Sequence, residues 1–159
     1  MDLIAGLPGE GVDSFAAGFD RLVALRPHEI QLGILKRLRG APIARHTADF
    51  DLRFSPDPPY QILSTSLIDF AMLQRLNRFA RYWDLIANSG RFKASLPLLL
   101  GAEPFANFLA FSDWLYAQTG KTHAFAHDRL VHLLQQHVAD RSADIGEFER
   151  ALINDYRGT

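Results

Sequence analysis

The chain has 159 residues, of which 48% are hydrophobic and 22% are charged, and its formal net charge is −1. This composition is typical of a globular protein, and the near-neutral charge gives no general argument for binding nucleic acid or a membrane surface. The absence of cysteine excludes disulfides, thiolate zinc sites, cysteine nucleophiles and iron–sulfur ligation by this chain. There is neither a signal-peptide pattern nor an apolar run of the roughly 18 residues that a membrane-spanning helix needs, so we expect a cytoplasmic protein.

The first predicted elements form a strand–helix–strand unit. Residues 3–5 are a short apolar run typical of a buried strand. They lead into a turn at 6–10, whose two glycines allow a ligand or another strand to approach closely. A helical pattern follows, for which Asp13 is the predicted N-cap and Arg26-Pro27 the end. Residues 29–35 then alternate as a second strand, and such crossovers place their two strands in parallel.

The middle of the chain is less regular. A basic run, Lys36-Arg37-Leu38-Arg39, ends in a turn, and a short helix is predicted near 43–48. Residues 51–54 and 60–64 predict two short strands that pair with each other across a proline-rich linker. We place a domain boundary here, with a βαβ unit and linker at 1–59 and a helical domain at 60–159.

The remainder predicts five helices joined by short loops, which favours an antiparallel bundle. Ser66 is the predicted cap of the first of these helices, and Pro97 is expected to interrupt or kink the second. Apolar stripes at helical spacing mark the inward faces; their members in the last two helices are Leu130, Val131, Leu134, Val138, Phe148, Leu152 and Ile153. The predicted fold class is therefore α+β and predominantly helical, with a short βαβ unit followed by a helical bundle.

Four histidines cluster near one predicted helix, at positions 123, 127, 132 and 137. The last three step round the helix by about 140° each, so they cannot share a face. Asp128 is the only nearby carboxylate that could join them as a ligand. Solvated histidines are the preferred interpretation, and no metal site is predicted.

Two basic patterns could bind phosphate: the run at 36–39, and the stripe formed by Arg75, Arg78 and Arg81. Both are also typical of a solvated surface. The aromatic residues fall mainly on predicted inward stripes, which favours a core over a platform for stacking bases. Nucleic-acid binding is accordingly the weakest of the functional hypotheses.

The order of motifs along the chain resembles one enzyme family. Residues 2–10, followed by Phe15 and Arg26-Pro27, resemble the fifth barrel strand and following helix of radical S-adenosylmethionine enzymes. Residues 31–36 and 39–43 resemble the sixth strand and the turn after it, with Ala41 in place of a threonine. Residues 58–63 and 88–92 resemble the uncharacterised C-terminal domain of the cobalamin-binding members.

The resemblance implies specific roles and one clear departure. Ile4 and Gly6 would flank the adenine of S-adenosylmethionine, and Leu35 would lie nearby. In the family, three cysteines that follow the first strand bind a [4Fe–4S] cluster, but this chain has no cysteine. The resemblance therefore implies the C-terminal part of such an enzyme: it would help shape the substrate side of the barrel and be inactive alone, while S-adenosylmethionine, the cluster and cobalamin would belong to the parent.

An alternative is a non-enzymatic helical interaction module in which the βαβ unit only stabilises the bundle. An exposed strand edge would let it pair with the remainder of a barrel or with a second copy as a homodimer.

Overall fold

The structure is a computed structural model that describes residues 1–158. Its first half contains β1 (Asp2–Ala5), α1 (Val12–Ala24), β2 (Gln31–Ile34), a 3₁₀ helix (Pro42–His46), β3 (Arg53–Phe54), β4 (Ile62–Ser64) and α2 (Phe70–Trp83). A π-helical segment (Asp84–Asn88) then precedes α3 (Leu96–Leu100), α4 (Pro104–Thr119), α5 (His127–Arg141) and α6 (Gly146–Arg157). The predicted class, α+β with helices predominating, is confirmed.

The described chain forms two compact units. The first comprises Met1–Ala80 and the second begins at Arg81, so the division falls within α2. The domain boundary that we placed before residue 60 stays a prediction. No helix among residues 1–158 has the length and apolar character required to cross a membrane.

The first unit is built on backbone pairing. β1 and β2 are parallel, as predicted, in a register that pairs Asp2 with Gln31 and Ala5 with Ile34. β3 and β4 pair antiparallel, also as predicted. An antiparallel bridge between Lys36 and Gln61 joins the end of β2 to the start of β4. The β3–β4 hairpin therefore lies beside the C-terminal end of β2.

The helices α1 and α2 both begin at a different residue from the one predicted. The N-cap of α1 is Gly11 rather than Asp13, which lies in the first turn. At α2, the Asp69 carboxylate accepts a hydrogen bond of 2.8 Å from the backbone N–H of Met72. Asp69 thus satisfies a donor that the helix itself leaves unpaired, and Ser66 was the wrong cap.

The second unit has an aromatic core. Trp83 packs edge-on against Phe108 at 5.1 Å, and Phe108 lies 5.6 Å from Phe111, between ring centroids. Pro97 lies in the first turn of α3 and does not kink it, because the first turn does not use the missing N–H. Ile153 was predicted to point inward but is 49% exposed.

Candidate functional site

The turn after β1 is fixed by its sequence. The N–H of Glu10 donates to the carbonyl of Leu7 at 3.1 Å, which closes a four-residue turn. Proline at its second position and Gly9 at its third, with φ of +77°, are the residues that a type II turn requires. The turn directs the chain into α1 and lies at the carboxyl end of β1, the end at which parallel α/β proteins place ligands.

Gly6 is the glycine that a neighbouring side chain approaches most closely. Its φ is +89°, and a Cβ added there would lie 2.7 Å from Cγ2 of Ile62 in β4. The glycine is therefore required both for its backbone angle and for this packing. Of the two alternatives that the glycine turn left open, a ligand or another strand, the structure has a strand at Gly6.

The three residues assigned to adenine binding have different environments. Gly6 is buried against Ile62. Leu35 is 8% exposed, and its N–H donates to the Ala5 carbonyl at 2.9 Å. Ile4 is 40% exposed. Strand pairing brings these positions to one end of the sheet, and their contact with adenine stays a prediction.

A groove of about 700 Å³ opens just beyond the end of β2. This volume is within the range of small-molecule sites, which is roughly 300–1,000 Å³. The groove is lined by Arg37, Leu38, Arg39, Gly40, Ala41, Ala44, Thr47, Leu52, Phe54, Ser55, Pro56 and Tyr60. All of these residues belong to the first unit, so the groove is a feature of that unit alone.

The groove is positively charged. Among the described residues that line it there are two arginines, Arg37 and Arg39, and no acidic residue. The salt bridge nearest in sequence joins Arg53 to Asp51 at 3.3 Å and involves neither arginine of the groove. The predicted basic run therefore contributes two of its three cations to one concave surface.

Sequence reasoning missed the aromatic wall of this groove. Tyr60 is 42% exposed and has a φ of +57°, a conformation that is rare for a bulky residue. Its N–H donates to the Asp57 carbonyl at 2.8 Å, and its carbonyl accepts from the Arg37 N–H at 2.9 Å. The turn signal of Pro58-Pro59 was the one clue in the sequence that a side chain would be displayed here.

The histidine cluster is different from the solvated set that we expected. His137 is only 3% exposed, with its ring 5.2 Å from Phe111 and 5.1 Å from Trp114. Burial, reinforced by the charge of Arg141 and opposed by that of Asp140, lowers the pKa of His137 from 6.5 to about 4. His137 is therefore a neutral core residue near pH 7.

His127 is also a packing residue. Its ring is stacked on Tyr156 at 5.7 Å and lies 5.5 Å from Phe92, and both of its ring nitrogens are buried. Within residues 1–158 no group of three or more histidine, aspartate or glutamate side chains is placed to hold a metal ion. The solvated interpretation was therefore wrong for His127 and His137.

A second groove lies between α5 and α6. It has a volume of about 470 Å³ and is lined by Asp128, Val131, His132, Gln135, Glu149, Leu152, Ile153, Tyr156 and Arg157. A hydrogen bond to the Asp128 carboxylate raises the pKa of the Tyr156 hydroxyl. The rim carries both signs of charge around an apolar floor.

The arginine stripe of α2 is not an open cationic surface. Arg75 and Arg78 are half-buried, and both interact with other groups of the protein. Nη1 of Arg75 lies 3.3 Å from the sulfur of Met72. Arg81 alone of the three is exposed, which removes most of the basis for a nucleic-acid contact at this stripe.

Comparison with known proteins places most of the chain in one family. Residues 48–158 match the family described as protein of unknown function DUF4080. The match covers more than half of the 159 residues, and the chain belongs to this family. No curated protein matches the chain, and no solved structure matches it.

Proposed function

We propose that this chain acts as the C-terminal part of a radical S-adenosylmethionine enzyme of the cobalamin-binding type. In this role the βαβ unit would continue the parent barrel, and the basic groove would lie on its substrate side. The chain would contribute to substrate binding and would not cleave S-adenosylmethionine by itself.

The observation that carries the proposal is the unfinished parallel sheet. Within the described residues β1 pairs with β2 alone, so its other edge has free backbone donors and acceptors. Parallel pairs occur almost only inside larger, covered sheets. A neighbouring barrel strand would satisfy this edge, and Ile4, 40% exposed on β1, would be covered by it.

Membership of the DUF4080 family supports the same proposal through the second half of the chain. The family match spans 48–158, and it includes both stretches, 58–63 and 88–92, that resemble the C-terminal domain of cobalamin-type radical enzymes. The barrel-like stretches at 2–10 and 31–43 lie before the match. The two halves of the chain therefore support the proposal by independent resemblances.

The residues of this chain do not fit an iron–sulfur cluster, because cluster ligation requires thiolates and the chain has no cysteine. The ligands would come from the rest of the parent enzyme. What this chain would supply is shape and charge: Arg37 and Arg39 in the groove and the exposed edge of β1.

The test is to purify the protein from its source with an antibody against this chain and map its peptides. We expect upstream or co-purifying peptides that contain a Cys-x-x-x-Cys-x-x-Cys motif, together with iron–sulfur absorbance. A purified protein that has no such motif in any associated chain would contradict the proposal. A stable [4Fe–4S] spectrum from this chain alone, after reconstitution with iron and sulfide, would contradict its dependence on a parent.

The second candidate function is a helical interaction module. It is favoured by the groove between α5 and α6, where Ile153 and Tyr156 are each 49% exposed beside an apolar floor. Light scattering over a wide concentration range tests it together with pairing through β1. A strict monomer at high concentration argues against homodimer formation by either surface.

A further inference from the structure

The groove beyond β2 has the chemistry of a site for an anion. We propose that it binds a phosphorylated small molecule whose ring or apolar portion packs against Tyr60. As a statement about the substrate of the parent enzyme this rests on the proposed function, but binding to this chain can be measured without the parent.

The charge of the groove is the first step. Arg37 and Arg39 are both exposed and both line it, and their guanidinium groups form no hydrogen bond or ion pair within residues 1–158. Their planar, permanently charged groups bind phosphate oxygens in pairs. Because no acidic residue is among the described lining, the attraction for an anion is not cancelled locally.

A neutral hydrogen-bond donor supplements the two arginines. The hydroxyl of Ser55 accepts a hydrogen bond from the Asp57 N–H at 3.2 Å, which leaves its own proton free to donate to a ligand. Thr47, by contrast, donates its hydroxyl proton to the Ala44 carbonyl at 2.8 Å. Of these two lining hydroxyls, only that of Ser55 therefore has its proton free to donate to a ligand.

The apolar wall selects the rest of the ligand. Tyr60 is held at the rim by backbone hydrogen bonds on both sides, at 2.8 and 2.9 Å. Its backbone is left-handed, with φ of +57°, a conformation that is unfavourable for a bulky residue. Leu52 and Phe54 also line the groove. A ligand with a charged group at the arginines and a ring at Tyr60 would contact both the cationic and the apolar parts of the lining.

The probe is phenyl phosphate, which combines a phosphate with one aromatic ring, and its binding to the full chain is measured by calorimetry at low salt. We expect saturable binding, with affinity reduced about tenfold in Arg37→Gln and in Arg39→Gln, because each removes a charge-assisted hydrogen bond. Lys36→Gln is the matched control. It removes the same charge from the adjacent residue, which does not line the groove. We expect it to change the affinity for phenyl phosphate by less than about twofold, because solvent screens the Lys36 charge from a ligand in the groove.

Two comparisons define the ligand class. Phenol lacks the charge and should not bind measurably, while benzoate should bind more weakly than phenyl phosphate. Tyr60→Asn keeps a residue that tolerates positive φ; it should weaken phenyl phosphate but leave inorganic phosphate unchanged.

Several results would overturn the proposal. These are no binding of phenyl phosphate, equal weakening in Lys36→Gln and the two arginine variants, or benzoate binding as tightly as phenyl phosphate. Tight binding of a single-stranded oligonucleotide, weakened equally by all three charge variants, would assign the surface to nucleic acid instead. Circular dichroism of each variant confirms folding. A positive result with phenyl phosphate stands whether or not a cysteine-motif parent is found, so the two failures can be distinguished.

Discussion

The two units differ in the groups that stabilise them, which are mainly backbone groups in the first unit and mainly side chains in the second. In Met1–Ala80 the decisive interactions involve the backbone: a parallel register, a type II turn and a hairpin joined to β2. In the unit that begins at Arg81 they involve side chains, with aromatic rings, a buried histidine and a buried carboxylate between helices. Substitutions should therefore be most damaging where a unit relies on one interaction that neighbouring residues cannot replace.

The largest effect is expected at Asp155, which is 8% exposed. Its carboxylate accepts hydrogen bonds from the N–H groups of Ala94 and Ser95 and from the hydroxyl of Ser95, at 2.8, 2.9 and 2.6 Å. Asp155→Ala leaves these donors unpaired, and we expect the free energy of unfolding to fall by about 4 kcal/mol in urea denaturation. Asn154→Ala, in the exposed neighbour, should change it by less than about 0.5 kcal/mol. Equal stabilities for the two variants would refute the role of Asp155.

The second effect concerns pH and is specific to His137. Its pKa is lowered to about 4 from 6.5, so between these values the unfolded chain binds a proton that the folded chain does not. The contribution of neutral His137 to the free energy of unfolding is complete above pH 6.5. It falls as the pH is lowered towards 4, by about 3 kcal/mol in total. His137→Leu should flatten this part of a stability profile. The exposed His132 supplies the control, since His132→Leu should retain the fall; a retained fall in His137→Leu would be contrary to expectation.

In the first unit the largest effect is expected at Gly6. Gly6→Ala introduces a Cβ at 2.7 Å from Ile62 and a side chain at φ of +89°, and we expect a loss of about 2–3 kcal/mol in the free energy of unfolding. Gly40→Ala has a similar φ, +75°, with no atom within 4 Å, so it should lose only about 1 kcal/mol. Adding Ile62→Leu to Gly6→Ala removes Cγ2 and should restore part of the difference. If the alanine variants at 6 and 40 are equally stable, the contact with Ile62 is unimportant.

The smallest effect tests the cap of α2. Asp69→Ala removes the acceptor for the Met72 N–H, which lies 2.8 Å away, and should lower the free energy of unfolding by about 1 kcal/mol. Ser66→Ala should have almost no effect. The reverse result in thermal melts would restore the cap predicted from sequence.

Sequence periodicity predicted most of the elements and much of the core. The parallel pair, the hairpin at 53–64 and the predominance of helix followed from alternation, turn residues and helical spacing. Caps were less predictable because several polar residues near each helix start are chemically suitable. Gly11 and Asp69 are the N-caps because of the path that the chain takes into each helix, and the periodicity of apolar residues does not describe that path.

The buried polar groups and the groove could not be predicted from the sequence because they depend on contacts between residues that are distant in the chain. Nothing local distinguishes His137, held against Phe111 and Trp114, from His132 one and a half turns earlier. The partners of Asp155 lie 60 and 61 residues away in the chain. The basic run was found in the sequence, but its convergence with Tyr60 depends on the hairpin that returns the chain to β2.

The π-helical segment after α2 has a consequence for how chain length can vary. In Asp84–Asn88 the hydrogen-bonding loop contains one more residue than an α-helical turn, so a single deletion there converts π to α geometry. A deletion inside Phe70–Trp83 would instead rotate the side chains before it by about 100° relative to those after it and divide the buried stripe that contains Leu76 and Phe79. The segment is thus a site where the length of the polypeptide can change by one residue without altering the phase of the apolar stripe before it.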